Sequence, residues 1–381
     1  MKTLDIDAFS QHFKNIQDPR QAAKITYSLF DVLFLSICSV ISGASGWEDI
    51  EDFGEAHRLW LQEKGLFPQG VPTHDTIARI ISRLNTTQFR QCFIGWAKSV
   101  SKRTSGEIIA IDGKTLRRSY NRESRQSAIH MVSAFATRNG VVMGQMKTEE
   151  KSNEITAIPA LLMLLDIKGC LVSIDAMGCQ KDIAKQIVTQ KGDYLLAVKG
   201  NQDSLHRAVK QALAESISLP VDPKQIQITQ GHGRYEAREY KVLPATALVG
   251  EFEEWTGLKT IGVAMGYRFE KKAQQYSLEY RYYISSADLD TSRFADAVRG
   301  HWGIENSLHW VLDVSMNEDK CPIYNGESAE ILATMRHFAI NMLRAETSKK
   351  ASIRRKQKIA SMDIEYLDKV LAAGLKVVAE G

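Results

Sequence analysis

The sequence predicts an α/β chain: a mixed sheet covered by helices, preceded by an all-helical N-terminal segment and extended by a β-rich insertion. Three observations lead there. Residues 1–100 place their apolar side chains at helical spacing throughout. Between 107 and 198, short β-type runs alternate with helical stretches, a pattern that argues for parallel neighbours in one sheet. From about 224 to 286 the chain turns to strands alone.

Taken in order, Tyr27 to Ile41 and Trp47 to Gln62 read as helices, the second with Trp47, Ile50, Phe53, His57 and Trp60 on one face. Thr73 is a candidate cap for a helix that buries Ile77, Ile80, Ile81 and Leu84 and shows His74, Arg79 and Arg83 on its other side. Such a helix suits a DNA groove, and equally a small bundle. Thr87 to Val100 closes the segment, and Ser101 to Gly106 is a basic linker. Glu107 to Ile111 is then a short apolar strand ending in Asp112-Gly113. Ser127 to Thr137 and Val141 to Lys147 form a hairpin around Asn139-Gly140. Glu154 to Leu165 is a helix capped by Asn153, Leu171 to Ile174 a strand ending in Asp175, Lys181 to Gln190 a helix and Tyr194 to Val198 a strand. Residues 203–218 are helical. Gln225 to Thr229, Arg234 to Leu243, Leu258 to Phe269 and Ser277 to Ser286 make up the inserted sheet. His232, Arg234, Glu236 and Arg238 share a strand face there, which suits either nucleic acid or solvent. Arg299 to Val314 and Glu327 to Arg344 are the closing helices.

The chain has 381 residues, 44% hydrophobic and 25% charged, with a net charge of +4, as in an ordinary globular protein of two or three domains. Its basic residues cluster: Lys98, Lys102, Arg103, Lys114, Arg117, Arg118, Arg122 and Arg125 in one stretch, and Lys349, Lys350, Arg354, Arg355, Lys356 and Lys358 in another. Such clusters track phosphate backbones or simply face water. Five cysteines without a CxxC pair exclude a zinc ribbon and point to reduced thiols in a cytosol. The N-terminus lacks the apolar core of a signal peptide, and the most apolar window, 27–46, is broken by Asp31, serines and glycines. No membrane span is expected.

Three acids carry the chemistry. Asp112 and Asp175 each follow an apolar run, at the carboxyl ends of strands where open α/β sheets hold ligands. Stepping 100° per residue places Phe294, Val298, Leu308 and Leu312 within about 60° of Glu305, so an acid lies inside an apolar stripe. A buried structural ion pair would account for Glu305, and an Asp-Gly turn for Asp112. Together, three acids without cysteine suit a hard divalent cation such as magnesium.

The motifs IDGKTLRRS around Asp112, KSNEITAIPALL at 151–162, SIDAMGCQKDIA at 174–184, DYLLAVKGNQ at 193–202, RYYISSA at 281–287 and HWGIENSLHWVLDVSMNED at 301–319, with DPR at 18–20 and GWEDIEDF at 46–53, resemble bacterial insertion-sequence DDE transposases. The resemblance is to the ISAs-type group that includes the H-repeat-associated proteins. It implies an RNase H-like core with a β-rich insertion before the last catalytic helix. The domains are then a helical, DNA-binding 1–100, a first core part 101–202, a helix plus β-rich insertion 203–290, the catalytic and closing helices 291–345, and a basic tail with a helix 346–381. By the same resemblance Asp112, Asp175 and Glu305 hold two Mg2+ or Mn2+ ions. These would serve hydrolysis at element ends and strand transfer into target double-stranded DNA, by a cytoplasmic enzyme working as a homodimer on paired ends. Related transposases bracket the glutamate with Tyr, Arg and Lys at −7, −4 and +7; here those positions are Val298, His301 and Leu312. Candidate DNA contacts are therefore Lys114, Arg117, Arg118, Lys199, Arg234, Arg238, Arg299, His301 and His309. Competing readings are a silent transposon-derived DNA-binding protein, an RNase H-like nuclease without strand transfer, and a zinc hydrolase built on His301, Glu305 and His309.

Overall fold

The structure is a computed structural model that describes residues 6–101, 104, 106–117, 119, 128–148, 154–219, 226–231, 233–250, 252–321, 323 and 327–375. In chain order it runs through α1 (Ile6–Phe13), α2 (Leu29–Ile41), α3 (Trp47–Ala56), α4 (Arg58–Glu63), α5 (His74–Ile81) and α6 (Thr86–Val100). Next come β1 (Ile108–Thr115), β2 (His130–Ala136), β3 (Val141–Thr148), α7 (Glu154–Leu164), β4 (Leu171–Ile174), α8 (Lys181–Thr189), β5 (Asp193–Val198) and α9 (Asp203–Ser218). Then follow β6 (Gln227–Gly231), β7 (Arg234–Pro244), β8 (Thr260–Glu270), β9 (Gln275–Ser285) and α10 (Thr291–Ile304). A π-helical turn, Glu305–His309, leads to α11 (Trp310–Val314), α12 (Ser328–Ala345), α13 (Ile353–Met362) and α14 (Ile364–Gly374). Asn153 and His232 lie outside the described residues.

The chain forms two compact units, one of residues 1–103, 113–153 and 305–381, the other of residues 104–112 and 154–304. The second holds a large mixed sheet in the order β1-β4-β5-β9-β8-β7-β6. β1, β4 and β5 are parallel, joined by helical crossovers, and the remaining pairs are antiparallel. The insertion is therefore no separate sheet. β9 pairs with β5 from Leu195↔Ser285 to Val198↔Tyr282, covering an edge whose main-chain groups would otherwise stay open. Helix α10 lies on this sheet and buries Phe294, Ala295, Ala297 and Val298 against Ile108, Leu171, Leu195, Tyr240 and Tyr283. Gly262 makes room for it: a Cβ there would stand 2.7 Å from the Phe294 ring.

The first unit is organised around α12, which is buried from Ser328 to Leu343. It packs against α2, α6, α13, α14 and β3. A helix buried on every side in this way belongs to a core. Phe13, Phe89, Phe93 and Trp96 surround Phe338, with ring centroids 4.6 to 6.1 Å away. β2 and β3 form the expected hairpin, turning through Gly140 at φ +67°. The Asn341 side chain accepts from Val142 N–H and donates to Val142 C=O, both at 2.9 Å. α13 and α14 fold back so that Trp96 Nε1 donates to Gly374 C=O at 2.9 Å. Lys356, grouped in sequence with a basic cluster, is buried and donates to the Leu343 and Glu346 carbonyls. The predicted helix from Trp47 to Gln62 breaks at His57 into α3 and α4, and Thr73 makes no side-chain cap. Among the described residues no helix is long and apolar enough to cross a membrane.

Candidate active site

In the sheet of the second unit, Ile111 of β1 is the register partner of Ile174 of β4. The next residues are Asp112 and Asp175, so each acid directly follows a register pair of neighbouring parallel strands, at the carboxyl end of β4. Asp112 does not end its strand, as the apolar run suggests; β1 continues to Thr115, and the acid sits half-buried inside it. Asp175 opens a tight loop. Its Oδ1 accepts from the N–H groups of Met177 (3.0 Å) and Gly178 (3.3 Å), leaving Oδ2 outside this turn. A side chain at Gly178 would put a Cβ 2.3 Å from Ile174 Cγ2, so only glycine lets the loop lie this close to β4. Asn201 and Gln202, just beyond β5, brace the loop by donating to the carbonyls of Ala176 (2.7 Å) and Cys179 (2.9 Å). Neither was singled out in the sequence, although both belong to the KGNQ motif. Cys179 is buried, and burial with the Asp175 charge beside it pushes its thiol up to about 12. Asp112 and Asp175 themselves offer carboxylate oxygens, the donor type that suits a hard cation. All five cysteines are buried, and none of them is in a disulfide.

Glu305 belongs to the first unit, at the start of the π-helical turn that follows α10. The stripe read from the sequence is real: Phe294, Val298, Leu308 and Leu312 are buried. Glu305 does not share it. Its side chain is 60% exposed, at the point where α10 gives way to the π-helical turn. The same turn presents buried His309, whose Nδ1 lies 2.9 Å from Glu305 Oε2. This contact, which outweighs partial burial, holds the Glu305 carboxyl below its usual range, with help from the Lys114 charge. π turns of this kind recur at functional sites.

The expected basic contacts have diverse surroundings. Lys114 is enclosed: its Nζ meets Asp313 at 2.7 Å and Glu318 and Asp319 at 3.0 Å, and its side chain is only 10% exposed. Burial opposes the charge, but Glu318 and Asp313 outweigh it and hold the ammonium well above the usual lysine range. Arg336 stands 3.9 Å from the other oxygen of Glu318, and exposed Arg117 reaches Asp319 at 3.3 Å. These acids are legible only as part of the motif that ends at Asp319. Arg118 lies outside the described residues, and Lys199 is exposed just after β5. Arg234 and Arg238 flank Glu236 together with Arg268. Arg299 donates to Gln227 at 2.8 Å, and His301 meets the edge of Trp302.

Residues 103–342 match the family described as "Transposase DDE domain", and residues 10–97 the one described as "DDE_Tnp_1-associated". The H repeat-associated putative transposase YhhI of Escherichia coli strain K12 is 47% identical over 373 residues, 97% of this chain and 99% of its own. Putative transposase YncI of Escherichia coli O157:H7 is likewise 47% identical, over 97% and 96% of the two chains. Among solved structures, the piggyBac transposase synaptic complex with hairpin DNA aligns over 96% of this chain and 77% of its own, at 13% identity and a TM-score of 0.43, a likeness too loose to bear on function. With a family match over most of its length and relatives 47% identical over nearly the whole chain, the chain belongs to the DDE transposase family.

Proposed function

We propose that this chain is a DNA transposase in which Asp112, Asp175 and Glu305 bind divalent metal for phosphodiester hydrolysis at element ends and strand transfer into target DNA. The observation that supports the reading is the β1–β4 register, which pairs Ile111 with Ile174 directly before the two aspartates on neighbouring parallel strands. Their oxygen-only donor set fits Mg2+ or Mn2+, and the family implies such an ion. A bound metal pair would activate the attacking oxygen and stabilise the leaving one. The chain's own part is positioning. The Met177 and Gly178 amides fix the Asp175 carboxylate, and His309 fixes that of Glu305. Exposed Arg299 and half-buried Arg238 are the proposed backbone contacts, with double-stranded DNA as partner.

The test is a cleavage assay on DNA carrying the sequences that flank the reading frame, with Mg2+ or Mn2+. Asp112→Asn, Asp175→Asn and Glu305→Gln should each abolish nicking while the duplex is still bound. Nicking that survives any one of them at saturating metal would remove that residue from the site.

A further inference from the structure

The DPR motif at 18–20 has no part in the metal chemistry, yet it is built with care. Asp18 accepts two charged hydrogen bonds from Arg20, at 2.9 and 2.6 Å, and Arg20 also donates to the Tyr27 carbonyl at 2.9 Å. This folds residues 18–27 into a fixed strap. The strap and α5 together line a groove of about 610 Å³. Its wall carries Arg20, Lys24, Arg79 and Arg83 with the hydroxyls of Thr26 and Thr76, and among the described residues that line it there is no acid.

Arg20 is neutralised by Asp18 and is part of the scaffold. Lys24, Arg79 and Arg83 are exposed, and among the described residues none of them is in an ion pair. His74 on the same helix is taken by Glu51, which meets its Nδ1 at 2.6 Å and its backbone N–H at 2.8 Å. Three uncompensated cations thus line one concave wall, contributed by two chain segments. Enclosing a single anion would call for converging buried donors. Cations spread along an open wall instead match a line of charge.

We infer that this groove binds the sugar–phosphate backbone of duplex DNA through Lys24, Arg79 and Arg83, holding the helix by its phosphates without reading its bases. The inference rests on DNA being the substrate of the metal site, and it assigns the DPR strap the task of shaping a second contact.

The experiment uses the full chain and fluorescein-labelled duplexes, one from the sequence flanking the reading frame and one unrelated, with anisotropy read between about 50 and 200 mM salt. Lys24→Gln, Arg79→Gln and Arg83→Gln are combined. All three side chains are exposed, so the variant should keep the thermal transition of the parent. Each lost phosphate contact lowers the salt slope by about 0.9, so the triple variant should lose about 2.7 in slope and about two orders of magnitude in affinity at 0.1 M salt. The loss should be equal on both duplexes. An unchanged slope overturns the groove while leaving the transposase reading intact, and a loss confined to one duplex replaces backbone contact by base reading. If the parent chain binds neither duplex, both readings fall, and preferential capture of a polyglutamate probe by the parent would assign the groove to an acidic protein.

Discussion

Replacing Lys114 by methionine tests whether this cation supports the fold or contacts DNA. Its Nζ sits among Asp313, Glu318 and Asp319, whose side chains are 33%, 2% and 19% exposed. Lys114→Met keeps the aliphatic stem and removes the charge, leaving Glu318, among the described residues, with Arg336 at 3.9 Å. Removing one partner of a buried pair costs about 3–5 kcal/mol. Solvent screens Asp313 in part, so the lower end, about 3 kcal/mol, is expected. At about 2–4 °C per kcal/mol this lowers the transition by about 6–12 °C in a thermal melt. The double variant Lys114→Met/Glu318→Gln should recover part of the loss, with a coupling of about 1–3 kcal/mol, because a neutral amide no longer lacks a counter-charge. Strictly additive costs would refute the cluster. The pH dependence has a definite sign. A lysine whose folded pKa is raised contributes stability that is fully present below its ordinary value of 10.5 and is lost only as pH climbs through the higher folded value. The gap between parent and variant should therefore be level from neutrality to about pH 10. In DNA binding the salt slope of Lys114→Met should match the parent; a fall of about 0.9 would make the ammonium a phosphate contact instead.

Two further outcomes are expected. His309→Leu removes the donor on Glu305 and should weaken Mn2+ binding by about 10–100-fold in a paramagnetic-resonance titration, whereas His309→Asn, with an amide near the Nδ1 position, should recover much of it. Buried His337, with burial the main cause and the His309, Lys114, Arg336 and Arg344 charges adding to it, is pushed down to about 3. It stays neutral in the fold while the unfolded chain takes up its proton. Stability should fall as pH drops below 6.5, at about 1.4 kcal/mol per unit, and His337→Phe should flatten this slope in urea titrations at successive pH values.

How far the site could be read from sequence depends on how far away each residue's determinants lie. Leu171 to Ile174 was legible to the residue, because Leu171, Val172 and Ile174 make a buried strand and the acid behind them ends it. β1 overran its apolar run because tertiary partners hold the next residues extended: Thr115 Oγ1 lies 2.9 Å from His130 Nδ1, and Lys114 is gripped by its acids. For Glu305 the residue type was legible and its 60% exposure was not, since a helical wheel gives a side chain's direction but not the chain that packs over it. The DPR strap shows the same division. The Asp18–Arg20 bond spans two residues and is local, but its meeting with α5 to form a basic groove is not. Lys114 is the extreme case. Three cations follow Asp112 closely and read alike, yet one is cancelled by acids 204 and 205 residues further on. An acid behind an apolar run carries its own placement with it, because the run builds the strand that positions it. A cation carries no such information, since whether it faces DNA or a carboxylate is decided by chain that pairing and packing bring in from elsewhere.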